Sequence, residues 1–144
     1  MIAAYDGTFT PARAERLLWR AGFGPRKGEA EALARKGLDG AVHALVNPDR
    51  EKLVGPAPHD DKGRPLAPYD AWGHDHAWWL DRMVRTSRPL VERMTLVWHD
   101  WFATSNDGVG SQRLMLNQNQ LFRSHFVGSF HDLLLEVTRD LWRR

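Results

Sequence analysis

The sequence predicts an all-α protein, a bundle-like array of about six to seven helices interrupted by one long proline-rich loop. Three observations predict it. Apolar residues recur at three- and four-residue spacing through most of the chain, the segments so marked begin and end on capping residues, and none sustains the apolar–polar alternation of a strand.

The first stretch, Thr10 to Asn47, reads as three short helices. Thr10 is an N-cap followed by Pro11 at the first helical position, and Ala14, Leu17, Leu18 and Ala21 then fall on one face. Gly22 and Gly24-Pro25 stop that helix. Lys27 to Lys36, rich in Ala, Glu and Leu, forms the second and ends at Gly37. Asp39 caps the third, which turns Val42, Leu45 and Val46 inward and ends at Asn47-Pro48.

Pro48, Pro56, Pro58, Pro65 and Pro68, set among glycines and charges, make residues 48–69 a loop. Connections above roughly 12–15 residues are uncommon in compact domains, so this one is functional or a linker. From Asp70 onward four helices are expected. Trp72, His76, Trp79, Leu80 and Met83 share a face of the first, which Ser87-Arg88-Pro89 ends. The second carries the best apolar stripe in the chain, Leu90, Met94, Val97, Trp98 and Trp101. The loop Ser105 to Gly110 separates it from a third helix, Gln112 to Phe126. Ser129 and Asp132 have capping-box-like spacing at the start of the last, where Phe130, Leu133, Leu134, Val137 and Leu141 face inward. Residues 1–47 and 70–144 are expected to pack as one domain, since 144 residues leave little room for a second.

Composition bounds the function. With 42% hydrophobic and 26% charged residues the chain is an ordinary globular one. It has no cysteine, which rules out disulfides, a thiol nucleophile and a thiolate zinc site. The net charge is only +2, and 20 basic residues are dispersed without a run of five, which argues against a nucleic-acid partner. No apolar run approaches the roughly 18 residues of a transmembrane segment. Met1 to Asp6 lacks the basic and apolar regions of a signal peptide, so the chain as written reads as cytoplasmic. Phosphate loops, zinc-protease helices and nucleophile elbows are absent from the sequence.

Seven histidines invite a metal reading. His74-Asp75-His76 looks like a chelating pair, but on a helix residues i and i+2 point about 200° apart. Asp70 and His74 do share a helix face, and a solvated pair near a helix N-terminus explains them equally well. His99 is the stronger candidate. It lies off the apolar stripe on a face with Glu92, Leu96 and Ala103, while Asn117, Gln118 and His125 share a face of the following long helix. If the two helices pack together, Glu92, His99 and His125 converge with the two amides into a polar patch suited to acid–base chemistry or a metal. A buried hydrogen-bonded network that fixes helix register is the alternative, and the commoner cause of such patches. Trp78, Trp79, Trp98 and Trp101 read as core, with a sugar or peptide platform as the functional alternative. Arg16, Arg20, Arg93 and Arg123 read as interhelix ion pairs before ligand clamps. Cofactor and metal content stay open.

Three blocks of this sequence carry a resemblance: Arg16-Leu17-Leu18-Trp19-Arg20-Ala21-Gly22-Phe23-Gly24, then Glu92 through Thr104, then Arg123, His125, Gly128, Phe130 and Leu133-Leu134. Together they resemble the bacterial family catalogued as domain of unknown function 1800. The resemblance implies a longer protein, of which this chain matches the N-terminal portion, and one that is often exported. The family's pattern after Thr138-Arg139-Asp140 continues through Pro-Ala-Met, where this chain reads Leu141-Trp142-Arg143-Arg144. The family's Trp-His motif often has a second histidine where Trp101 stands here. No reaction is carried over.

Three functions follow as expectations. The first is a structural or interaction module whose apolar helix faces await a missing C-terminal region, a protein partner or a second copy. The second is part of a metal-dependent or hydrolase-like enzyme using Glu92, His99 and His125. The third is a carbohydrate or cell-envelope binder acting through exposed tryptophans.

Overall fold

Pro11 and Thr10 open the first helix as their chemistry dictates. The proline occupies the position whose N–H would be unpaired, and Thr10 Oγ1 accepts from the Arg13 N–H at 3.4 Å. The computed structural model describes residues 5–102 and 105–142. Among these it places eight helices and no strand: α1 (Pro11–Ala21), α2 (Glu29–Ala34), α3 (Gly37–Val46), α4 (His74–Arg85), α5 (Pro89–Phe102), α6 (Asn106–Val109), α7 (Gln112–Ser124) and α8 (Phe130–Trp142). The chain is all-α, with α6 a single turn inside the expected Ser105–Gly110 loop. No helix among the described residues is long and apolar enough to cross a membrane.

The chain divides into two compact units, Met1–Asp49 and Arg50–Arg144. In the first, α1 packs on α2 and α2 on α3 around Ala14, Leu18, Ala30, Leu33 and Ala41, with Phe9 and Leu17 at the edge. Small residues at these positions let short helices approach closely. Asp39 lies in the first turn of α3 and is not its cap, and the inward pair is Ala41 and Leu45, while Val42 is exposed. Gly24 closes the turn after α1 at φ +98°, and a Cβ there would sit 2.8 Å from the Trp19 ring. Trp19 therefore lies across a position that takes no side chain, which ties two residues of the first resemblance block together.

In the second unit the proline-rich segment is held by specific bonds. Lys52 and Ser87 exchange two hydrogen bonds of 2.8 Å, and Val54 donates to the Arg85 carbonyl at 2.8 Å. Asp60 closes a tight turn by accepting from the Lys62 and Arg64 amides at 2.9 and 2.8 Å, and the Gln112 side chain donates to the Ala71 carbonyl at 2.8 Å. The helices α5, α7 and α8 meet around Phe122, Leu133 and Val137, with Trp98, Phe102 and Leu121 against them and Phe102 stacked on Phe122 at 5.7 Å.

Three inward faces expected from spacing are turned differently. On α5 the fully buried residues are Val91, Glu92 and Thr95, whereas Leu90, Met94, Val97 and Trp98 are half-buried and Trp101 is 69% exposed. On α4, Trp79 and Met83 are half-buried but Leu80 is outward, and Trp72, expected on the same face, lies in the turn before the helix and is 91% exposed. On α8, Leu133 and Val137 are buried while Phe130 and Leu134 are exposed. The reason on α5 is the polar inner face of α7. Gln118, Asn119 and Arg123 are buried there, and such groups require polar partners on the helix they meet. Ala103 and the side chain of Leu141, both named above, lie outside the described residues.

Candidate functional site

Glu92 is the fourth residue of α5, in its first turn, and is completely buried, so its charge needs a partner. Arg123 of α7 supplies it through two bonds, Nε to Oε1 at 2.7 Å and Nη2 to Oε2 at 2.8 Å, the parallel fork that guanidinium geometry favours. From α4, Trp79 donates its indole N–H to Oε2 at 3.1 Å and Arg82 reaches Oε1 at 3.4 Å. Arg82 also bridges to Glu51, which accepts from the Thr86 hydroxyl at 3.1 Å. Trp78 covers both guanidinium groups, its ring 5.0 Å from Arg82 and 5.5 Å from Arg123. Asn119, one turn before Arg123, accepts from its Nη2 at 2.7 Å. Three helices and the Glu51 segment are thus tied at one carboxylate.

Burial is the largest single influence on Glu92 and pushes its pKa up. The hydrogen bonds and charge of Arg123, then the charge of Arg82 and the Trp79 bond, outweigh it and hold the carboxyl below the usual glutamate range. With every strong acceptor direction taken, Glu92 is an anchor for the helices.

His99 lies two turns further along α5, edge-on to Trp79 at 5.2 Å and to Phe122 at 6.4 Å. It lines a cleft of about 220 Å³. Trp79, Met115 and Leu116 provide the apolar side of the cleft, and His99, Ser105, Asn106 and Asn119 its polar groups, with Asp75 and His76 from the first turn of α4. Burial pushes the His99 imidazole down from its ordinary pKa; Asp100 works against this and His76 with it. The ring is therefore held in its neutral form at neutral pH, with one nitrogen able to accept.

His125 occupies a different environment. It is the C-cap of α7, where its Nδ1 lies 3.1 Å from the Leu121 carbonyl and 3.0 Å from Ser124 Oγ. The Leu121 carbonyl there also accepts from the His125 amide at 3.2 Å and the Ser124 hydroxyl at 2.7 Å, so the ring is one of three groups gathered on the last turn of α7. Asn117 is exposed, and Asn119 stands in the buried place expected for it. Asp70 and His74 are not paired: Asp70 precedes α4 and lies 3.8 Å from Arg113, whereas His74 Nδ1 accepts from the Ala67 amide at 3.0 Å. His76 pairs with Asp75 at 3.0 Å. Among the described residues no group of three or more histidines and carboxylates is placed to hold a metal.

Compared with known protein families, the chain matches the profile described as protein of unknown function (DUF1800) across residues 16–141. It belongs to the DUF1800 family. Comparison with curated proteins and with solved structures finds no match. In this DUF1800 chain the three blocks of resemblance have distinct structural duties. The first contains the Trp19–Gly24 approach, the second supplies Glu92 and His99, and the third supplies Arg123 and the His125 cap.

Several DUF1800 side chains central to this region leave no signal in the spacing of the sequence. Arg82 and Glu51 come from segments that show no common period, and only the fold sets Arg82 between the carboxylates of Glu51 and Glu92. Asp75 and Asn106 line the cleft from two helix starts 31 residues apart. The Asn119–Arg123 pair was accessible in principle, since i and i+4 on α7 is the spacing of neighbours on one face.

Proposed function

We propose that this DUF1800 chain is a helical interaction module that pairs with a second copy of itself through the outer face of α5 and α8. One observation carries the reading: the longest apolar stripe in the sequence is the face of α5 that stays open. Leu90, Met94, Val97 and Trp98 are half-buried and Trp101 exposed, while the opposite face of the same helix is closed. The open face continues onto α8, where Phe130 lies 5.9 Å from Trp98 and 6.5 Å from Trp101. Leu134, also exposed, follows one turn later. A contiguous aromatic and aliphatic face of this kind is the usual mark of an interaction site.

A second copy suits it because an apolar face complements itself: burial is non-directional, and two-fold pairing sets the same patch on both sides. The stripe positions carry no charge to repel one another. The overall net charge of +2 adds little long-range repulsion between copies.

Sedimentation velocity over a concentration series tests the reading. The wild-type chain is expected to shift from monomer to dimer, and Trp101→Glu, which sets a carboxylate in the middle of the open face, is expected to stay monomeric with an unchanged circular dichroism spectrum. A wild-type chain that remains monomeric up to about 100 μM, a Kd corresponding to roughly 5–6 kcal/mol, overturns it.

A further inference from the structure

We propose that the cleft between α4, α5, α6 and α7 binds a small neutral ligand through a primary carboxamide or an equivalent planar amide edge. The starting point is a pair of buried polar atoms that the fold leaves without partners. Among the described residues, His99 Nδ1 and Asn106 Oδ1 are both buried and neither has a hydrogen-bond partner, and both residues line this cleft. An unmade bond on a buried polar group costs on the order of 1–3 kcal/mol, so two in one small cleft point to a group that completes them.

The remaining wall defines that group by elimination. The Trp79 indole N–H is committed to Glu92 at 3.1 Å, so this ring contributes an apolar surface. No lysine or arginine lines the cleft, which disfavours an anionic ligand, and the Asp75 carboxylate is occupied by a 3.0 Å contact with the His76 ring, so the propylammonium arm of the test below decides against a cation. The Asn119 carbonyl oxygen accepts from Arg123 at 2.7 Å, which leaves the NH2 of that amide as its donor. Two acceptors, Asn106 Oδ1 and, in the Nε2–H tautomer, His99 Nδ1, therefore stand with the Asn119 amide donor in a cleft whose other lining is Trp79, Met115 and Leu116 on the apolar side and Ser105, Asp75 and His76 on the polar side. A primary carboxamide presents the complement: two N–H donors and one carbonyl on a flat, uncharged group. At about 220 Å³ the cleft is smaller than the roughly 300–1,000 Å³ of drug-sized pockets, which suits a head group with a short stem.

Three probes of one size separate the alternatives: propionamide, propylammonium and propionate. Each is titrated into the 15N-labelled chain while the Trp79 indole N–H and the His99 ring nitrogens are followed by NMR at pH 7.5. Propionamide is expected to give saturable shifts at both sites with a Kd on the order of 1–10 mM, as its few heavy atoms allow, and the two ions to bind at least about tenfold more weakly. Asn106→Ala is expected to weaken propionamide by about tenfold. Met115→Phe, which fills the apolar side and touches neither unpartnered atom, is expected to abolish the shifts, while both variants keep the wild-type melting temperature within a few degrees. Saturable binding of either ion as strong as that of propionamide, no saturable shift with propionamide up to about 100 mM, or undiminished binding by Asn106→Ala overturns the proposal. The site does not depend on self-pairing, since Trp101 and Phe130 are not among its lining residues.

Discussion

Arg123 grips Glu92 from α7 through paired bonds of 2.7 and 2.8 Å, and the glutamate it grips is fully buried. This relationship decides which side of α5 faces the rest of its unit. A buried carboxylate cannot turn to solvent without breaking the fork, and its partner is itself pinned by Asn119 and covered by Trp78. The apolar stripe on the other side of α5 is left to whatever covers it from outside.

Removing one partner of this pair is expected to cost far more than removing both. Arg123→Met leaves a buried carboxylate with only Trp79 and the longer Arg82 contact and should destabilise the chain by about 3–5 kcal/mol. The double variant Glu92→Leu/Arg123→Met should recover a large part of that loss. Urea denaturation of the two singles and the double gives the coupling directly, and additive losses would show that the fork does not orient α5.

Stability should fall on acidification in two steps. His99 has its pKa lowered by burial, so the unfolded chain takes up that proton first; the neutral-ring contribution is whole above the ordinary histidine pKa and is lost as pH falls below about 6.5 toward the folded value. Glu92, also lowered, contributes fully above the ordinary glutamate pKa and loses its contribution as pH falls below about 4 through its folded value. Melting temperatures across pH 3–8 should show both declines, and His99→Gln should remove the upper one while leaving the lower. A flat profile between pH 5 and 7 in the wild type would contradict the assignment to His99.

Gly24→Ala should destabilise the chain by roughly 1–3 kcal/mol, because an L-residue is strained at φ +98° and its Cβ meets the Trp19 ring at 2.8 Å. Combining it with Trp19→Ala relieves the clash but not the backbone strain, so the double variant should recover only part of the loss. Chemical denaturation followed by circular dichroism separates the two contributions, and complete recovery would assign the whole cost to the ring.

Much of the helix pattern was legible because it rests on local chemistry. Thr10-Pro11 starts α1 where capping predicts, Ser129 accepts from the Asp132 amide at 3.3 Å, and the prolines of residues 48–69 keep that segment free of helix. Glu92 was found as the buried polar residue of α5, and Gln118 as one of α7, because a charged or amide group on a packed face is visible in a helical projection. His125 was grouped with them for the same reason, yet it caps α7, since one residue beyond a helix end no longer follows its angular repeat.

The sequence by itself determined the all-α class, the places where helices start, and the presence of ionisable groups on faces destined for packing. Only the tertiary structure decided which face of α5 is closed, that Arg82 and Arg123 meet at the Glu92 carboxylate while Arg82 also holds Glu51, and that His99 Nδ1 and Asn106 Oδ1 share a cleft without hydrogen-bond partners. The physical reason is range. Caps, prolines and apolar periods act within a turn or two of chain, whereas pairing a buried charge is a long-range demand, and here it outweighs the strongest apolar stripe in the sequence.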